Sequence, residues 1–66
     1  MSKNAKEIAV LIVAKLDSDK KFAKSVHASN EFYRAMMYES QLVENVAEID
    51  GTDEYHAIVD ELVNLL

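Results

Sequence analysis

The stretch DKKFAKSVHASNEFYRAMMYESQLVENVAEI, residues 19–49, decides how this chain is read. Within it Phe22, Val26, Ser29, Tyr33, Met36, Ser40, Val43 and Ala47 recur at alternating spacings of four and three. That is the heptad spacing of a helix seam, which places all eight on one side of a continuous helix. The spacing predicts a long helix from Asp19 to Ile49, about 46 Å at 1.5 Å per residue. Beside the seam, Phe32, Ala35, Leu42, Val46 and Ile49 widen the apolar surface, so the second half of this helix needs two neighbours. A second copy of the chain, paired through Phe22, Val26, Tyr33, Met36 and Val43, is the expected partner on one side. The competing reading breaks the helix at Ala28-Ser29-Asn30, where Ser29 or Asn30 could cap a new one, and gives four short helices in a compact monomer.

On either side of this segment the boundaries are chemical. Asp17-Ser18-Asp19 places three cap-forming residues in a row, ending a first helix expected from about Ala5 to Leu16. Its core face carries Ile8, Ile12 and Leu16, flanked by Ala5, Ala9 and Val13, while Val10, Leu11 and Ala14 fall outside that face and imply more than one neighbour. A buried strand is rejected for the apolar run Ile8–Ala14, because nothing else in the chain could pair with it. At the other end, Gly51 can adopt the left-handed conformation past a helix end and Thr52 can cap the next helix. Asp53 and Glu54 suit the positive end of that helix's dipole. The last helix, about Asp53 to Leu65, has Tyr55, Ile58, Val59, Leu62, Val63, Leu65 and Leu66 on one side, and its C-terminal end is expected to be docked.

Composition limits the remaining possibilities. A single domain is all that 66 residues accommodate, and half of them are apolar, well above the level of a disordered chain. Chains this short usually add disulfides, a metal or a partner subunit. There is no cysteine, and two histidines without thiols make a poor metal set, so a partner subunit is the expected addition. The longest apolar run has seven residues, far short of the ~20 needed to span a bilayer. Lys3 and Lys6 precede it, but no convincing small-residue cleavage site follows, so the chain reads as cytoplasmic.

Charge is divided along the chain: residues 1–34 carry seven basic and four acidic groups, net +3, and residues 35–66 carry eight acids and no lysine or arginine. Solvated helix faces account for most of this. Lys20, Lys24, His27, Glu31, Arg34 and Tyr38 form one outward stripe that could track a phosphate backbone. Glu31 in its middle and the overall charge of −5 argue against nucleic acid, and a His27–Glu31 pair one turn apart is the simpler expectation. The acids Glu39, Glu44, Glu48, Asp50, Asp53, Glu54, Asp60 and Glu61 permit the opposite idea, an imitation of nucleic-acid phosphates.

For chemistry, Asp53, His56 and Asp60 share one face of the last helix, with Glu44 and Glu48 conceivably opposite. Carboxylate and imidazole one turn apart can hold a divalent metal in a helical bundle. Only one such element is present, so a surface His56–Asp60 pair is the reading adopted and a metal-dependent hydrolase the outsider. No phosphate loop or nucleophile motif occurs. Tyr33, Met36, Met37 and Tyr38 concentrate aromatic and adaptable side chains in mid-segment, of the kind enriched at protein contacts.

The chain therefore reads as an all-α protein of three helices, a long central one flanked by two short ones, forming a helical bundle as a dimer. No catalytic, cofactor or metal residues are assigned. Met37, Tyr38, Glu44, Glu48, Asp53 and Asp60 are the expected contacts to another protein, with no membrane as partner and the charge arguing against nucleic acid. The style fits a non-enzymatic regulator or inhibitor, including those borne by phages or mobile elements; an acidic nucleic-acid mimic or a nucleic-acid-associated protein is the alternative.

Overall fold

The computed structural model describes residues 4–66 and is helical throughout, with no strand among the described residues. The helices are α1 (Ala5–Ser18), α2 (Lys20–Ala28), α3 (Phe32–Ser40), α4 (Val46–Ile49) and α5 (Asp53–Leu65). Asn4 opens α1, its side-chain oxygen accepting from the Glu7 amide at 2.9 Å. Asp19 closes α1 through its own amide, which donates to the Lys15 carbonyl, and opens α2 by accepting from the Phe22 amide at 3.0 Å. One extended residue thus serves two helices, satisfying end groups that neither could bond internally.

The long central helix does not form. The described residues extend only 28 Å along their longest axis, too short for a 46 Å rod, and the radius of gyration of 10.9 Å is that of a compact monomer of this length, about 11 Å. The segment breaks twice. At the first break Ser29 takes an extended conformation and its hydroxyl accepts from the Glu31 amide at 3.1 Å, the local competition that makes serine a poor helix-interior residue. At the second, Gln41 enters the left-handed region at φ +62°. There the buried Ser40 hydroxyl donates to the Met37 carbonyl and accepts from the Leu42 amide at 3.3 Å, while Lys15 donates to the Ser40 carbonyl at 3.1 Å. A cation on the last carbonyls of α3 complements the negative end of the helix and fixes where it stops.

Periodicity survives these breaks because α2 and α3 turn their apolar faces to the same interior. Phe22 and Val26 of α2 and Met36 and Ser40 of α3 are all buried in the chain's own core, so the expected dimer seam is an internal one. Tyr33 and Val43 are half-buried against that core. The interior is completed by Ile8, Ala9 and Ile12 of α1, Ala35 and Met37 of α3, Val46 and Ile49 of α4, and Tyr55, Ile58 and Leu62 of α5. α1 packs along α5 and touches α2 and α3; α2 packs on α3, and α4 on α5.

The last boundary follows its sequence signals. Gly51 sits at φ +84°, Thr52 accepts from the Tyr55 amide at 3.5 Å, and α5 begins at Asp53. Its apolar face is covered only as far as Leu62, whereas Val63, Leu65 and Leu66 are exposed, contrary to the docked end that the pattern suggested.

Candidate functional site

A polar cluster among the described residues links α3 to Asp50, the residue that ends α4. Arg34 at the start of α3 donates from Nη1 to Asp50 Oδ2 at 2.7 Å, and its Nε lies 3.4 Å from Glu31 Oε2. One turn on, the Tyr38 hydroxyl donates to the same Asp50 oxygen at 3.2 Å. The Arg34 guanidinium also stands 5.9 Å from the centre of the Tyr55 ring, within cation–π range. Asp50, at the end of α4, therefore ties the middle of the chain to the turn before α5. The carboxylate of Asp50 first, then that of Glu31, holds the Arg34 pKa above its ordinary value. Partial desolvation pushes the Tyr38 phenol up, and the hydrogen bond to Asp50 and its negative charge add to this.

Tyr38 keeps 44% of its surface exposed and forms one wall of a shallow depression of about 400 Å³. Val43, Val46 and Ala47 supply the apolar lining, with Gln41 and Glu44 at the rim. A second depression of about 450 Å³ lies between the start of α3 and the first turns of α5, lined by Phe32, Tyr33, Tyr55 and Val59 with Arg34 and His56. Both arise where the central segment breaks, because each break turns a helix end outward and leaves a gap beside it.

The expected partner-contact residues separate on this frame. Met37 is fully buried, because α3 is covered on two sides and positions 36 and 37 both point inward. Its assignment to an external contact is corrected accordingly. Tyr38, Glu44, Glu48, Asp53 and Asp60 are exposed. Tyr38 and Glu44 share the first depression, while Asp53 and Asp60 sit on α5. His27 stacks on Phe32 with ring centres 5.3 Å apart, and Glu31 pairs with Arg34. The expected His27–Glu31 pair is replaced because the break after Ala28 removes the helical turn that would have aligned them. Lys20, Lys24, His27, Glu31, Arg34 and Tyr38 are all exposed, but the first three are on α2, Arg34 and Tyr38 on α3, and Glu31 in the break between them. Lys3 lies outside the described residues.

His56 is exposed and meets the edge of Tyr55 at 5.6 Å between ring centres. Among the described residues no three His, Asp or Glu side chains converge as a metal site would require, and no helix is long and apolar enough to cross a membrane. The Arg34–Asp50–Tyr38 cluster was missed by sequence reasoning, since Asp50 is 16 residues from Arg34 and 12 from Tyr38 and meets them only because the helix breaks. Compared with known protein families, curated proteins and solved structures, the chain matches none. The described residues define the class: a compact all-α fold of five helices around one core, in a chain that is acidic overall.

Proposed function

We propose that this chain is a small helical interaction protein without catalysis of its own, acting in the cytoplasm as a regulator or inhibitor of another protein. The observation that carries this reading is the depression beside Tyr38, an exposed aromatic above an apolar floor of Val43, Val46 and Ala47 with Glu44 at its edge. Aromatic and apolar surface framed by polar groups is the usual anatomy of a protein contact. Asp50 holds the Tyr38 hydroxyl, so the ring is offered already oriented and little rotamer freedom is lost on binding. In this reading the protein works as a homodimer held by surface other than the α2–α3 seam.

A tagged chain, compared with its Tyr38→Ala and Glu44→Lys variants in capture from host lysate, tests the proposal. A protein retained by the wild type and lost from both variants, with helicity unchanged, is the expected result. Equal retention by all three overturns it. The alternative, a nucleic-acid mimic, draws on Glu39, Glu44, Glu48, Asp53, Glu54 and Asp60, all exposed. It requires that capture weaken steeply with salt and survive Tyr38→Ala, because a purely electrostatic contact needs no aromatic anchor.

A further inference from the structure

The face of α1 turned away from the core is apolar and has no neighbour among the described residues. Val10 and Leu11 are 46% and 37% exposed, and Ala14 beside them is exposed as well. At 100° per residue, Glu7 and Ala14 lie on the mid-line between Val10 and Leu11, and Lys6 and Asp17 lie together on one flank. All of these are exposed, and among the described residues no ion pair engages Lys6, Glu7 or Asp17.

Two features say what covers this face. Lys6 sits in the first turn of α1 and Asp17 in its last, the wrong ends for the helix's own dipole, which favours acids at the N-terminus and bases at the C-terminus. Against an antiparallel copy of the same helix both become favourable. Lys6 then lies near the partner helix's negative end and Asp17 near its positive end. Moreover, in a two-fold antiparallel pair like flanks meet, so centring the contact between Val10 and Leu11 brings Lys6 opposite Asp17 of the other copy, offset by about 3 Å along the axis. On the mid-line Glu7 meets Ala14. Parallel pairing would instead set Glu7 against Glu7.

We propose that two copies of the chain associate antiparallel through the outward face of α1, with Val10 and Leu11 at the centre and Lys6 of each copy paired with Asp17 of the other. This deepens the homodimer part of the proposed function and leaves the Tyr38 surface free. The contact strip is about 21 Å long and ~10 Å wide, far below the ~800 Å² per partner of a stable interface, so the pair is weak and dissociates on dilution.

Sedimentation equilibrium from micromolar to millimolar protein tests this. The wild type is expected to rise from 7.4 kDa toward twice that mass, while Leu11→Glu stays monomeric with unchanged far-ultraviolet circular dichroism. Lys6→Glu and Asp17→Lys are each expected to weaken association several-fold, and the double variant, which regains the ion pair but not the match to the partner's helix ends, to recover part of it. Both single changes improve the helix's own dipole, so loss of folding cannot mimic the result. A wild type that remains monomeric at millimolar concentration, a Leu11→Glu chain that associates like the wild type, or a double variant no better than the singles overturns the proposal. Capture of a partner through Tyr38 is scored separately, so either idea can fail alone.

Discussion

Met37 and Tyr38 are neighbours in sequence with opposite surroundings, one fully buried and the other nearly half exposed. Truncating Met37 to alanine removes most of a core side chain and leaves a cavity, a loss of about 2–5 kcal/mol. Urea unfolding should show that loss, and a much smaller one for Tyr38→Ala. Equal effects would mean that α3 is rotated from the orientation described. The Tyr38 phenol offers a second reading of the same spot. Its pKa is raised above the ordinary value of 10.0 by desolvation, then by its bond to Asp50 and the charge there. A group whose folded pKa lies above its unfolded one binds its proton more tightly in the folded state. Its contribution is complete below pH ~10 and is lost as pH climbs through the folded value. Asp50→Asn removes the charge, so following the Tyr38 ring by NMR in alkaline titration should show that variant ionising at lower pH than the wild type.

The helix ends carry the next set of consequences. Gln41 holds a left-handed conformation that costs a residue with a side chain roughly 1–2 kcal/mol. Gln41→Gly relieves this, less the extra freedom glycine gives the unfolded chain, so a net gain of about 0.5–1 kcal/mol in urea unfolding is expected. Gly51, at φ +84° with open space around its α-carbon, shows the converse: Gly51→Ala should cost about 1 kcal/mol through backbone strain alone, with no steric clash. These two turns differ in how they could be read beforehand. Gly51 and Thr52 announce a stop and a start, and Asp17-Ser18-Asp19 does the same, so α5 and the end of α1 were legible to within two residues. The stop after Ser40 carries no glycine or proline. Lys15 reaches across from α1 to the Ser40 carbonyl there, a contact between residues 25 apart that no local pattern encodes. The seam was likewise real as a burial pattern from Phe22 to Val43, with Ala47 exposed, but silent about continuity, since two short helices facing one core repeat apolar residues at the same spacing as one long helix. For the same reason the cluster of Arg34, Tyr38 and Asp50 could not be foreseen; helical phase does separate Val10 and Leu11 from Ile8 and Ile12, but both are exposed where their position implied a further neighbour.

Taken as one body, the molecule is small enough that its charge acts on every part of it. Eight acids fall in residues 35–66, and in the described structure only Asp50 among them has a cationic partner. The other seven share a surface whose longest dimension is 28 Å, within one Debye length of about 30 Å at 0.01 M salt. Their mutual repulsion is relieved when the chain unfolds and the charges move apart, so it lowers stability. Added salt screens this repulsion, and it also screens the Arg34–Asp50 pair, which is attractive. Many repulsive terms over medium range oppose two short attractive contacts of Arg34, with Asp50 at 2.7 Å and with Glu31 at 3.4 Å, and short contacts are the less easily screened. Repulsion should therefore be the larger loss: the Tm followed by circular dichroism is expected to rise when sodium chloride is increased from the millimolar to the molar range. Glu48→Lys, which reverses an exposed acid of α4, should raise the Tm at low salt and shrink the response to added salt. A Tm that falls with salt in the wild type would show that attractive pairs, not the acidic half, set the electrostatic balance of this fold.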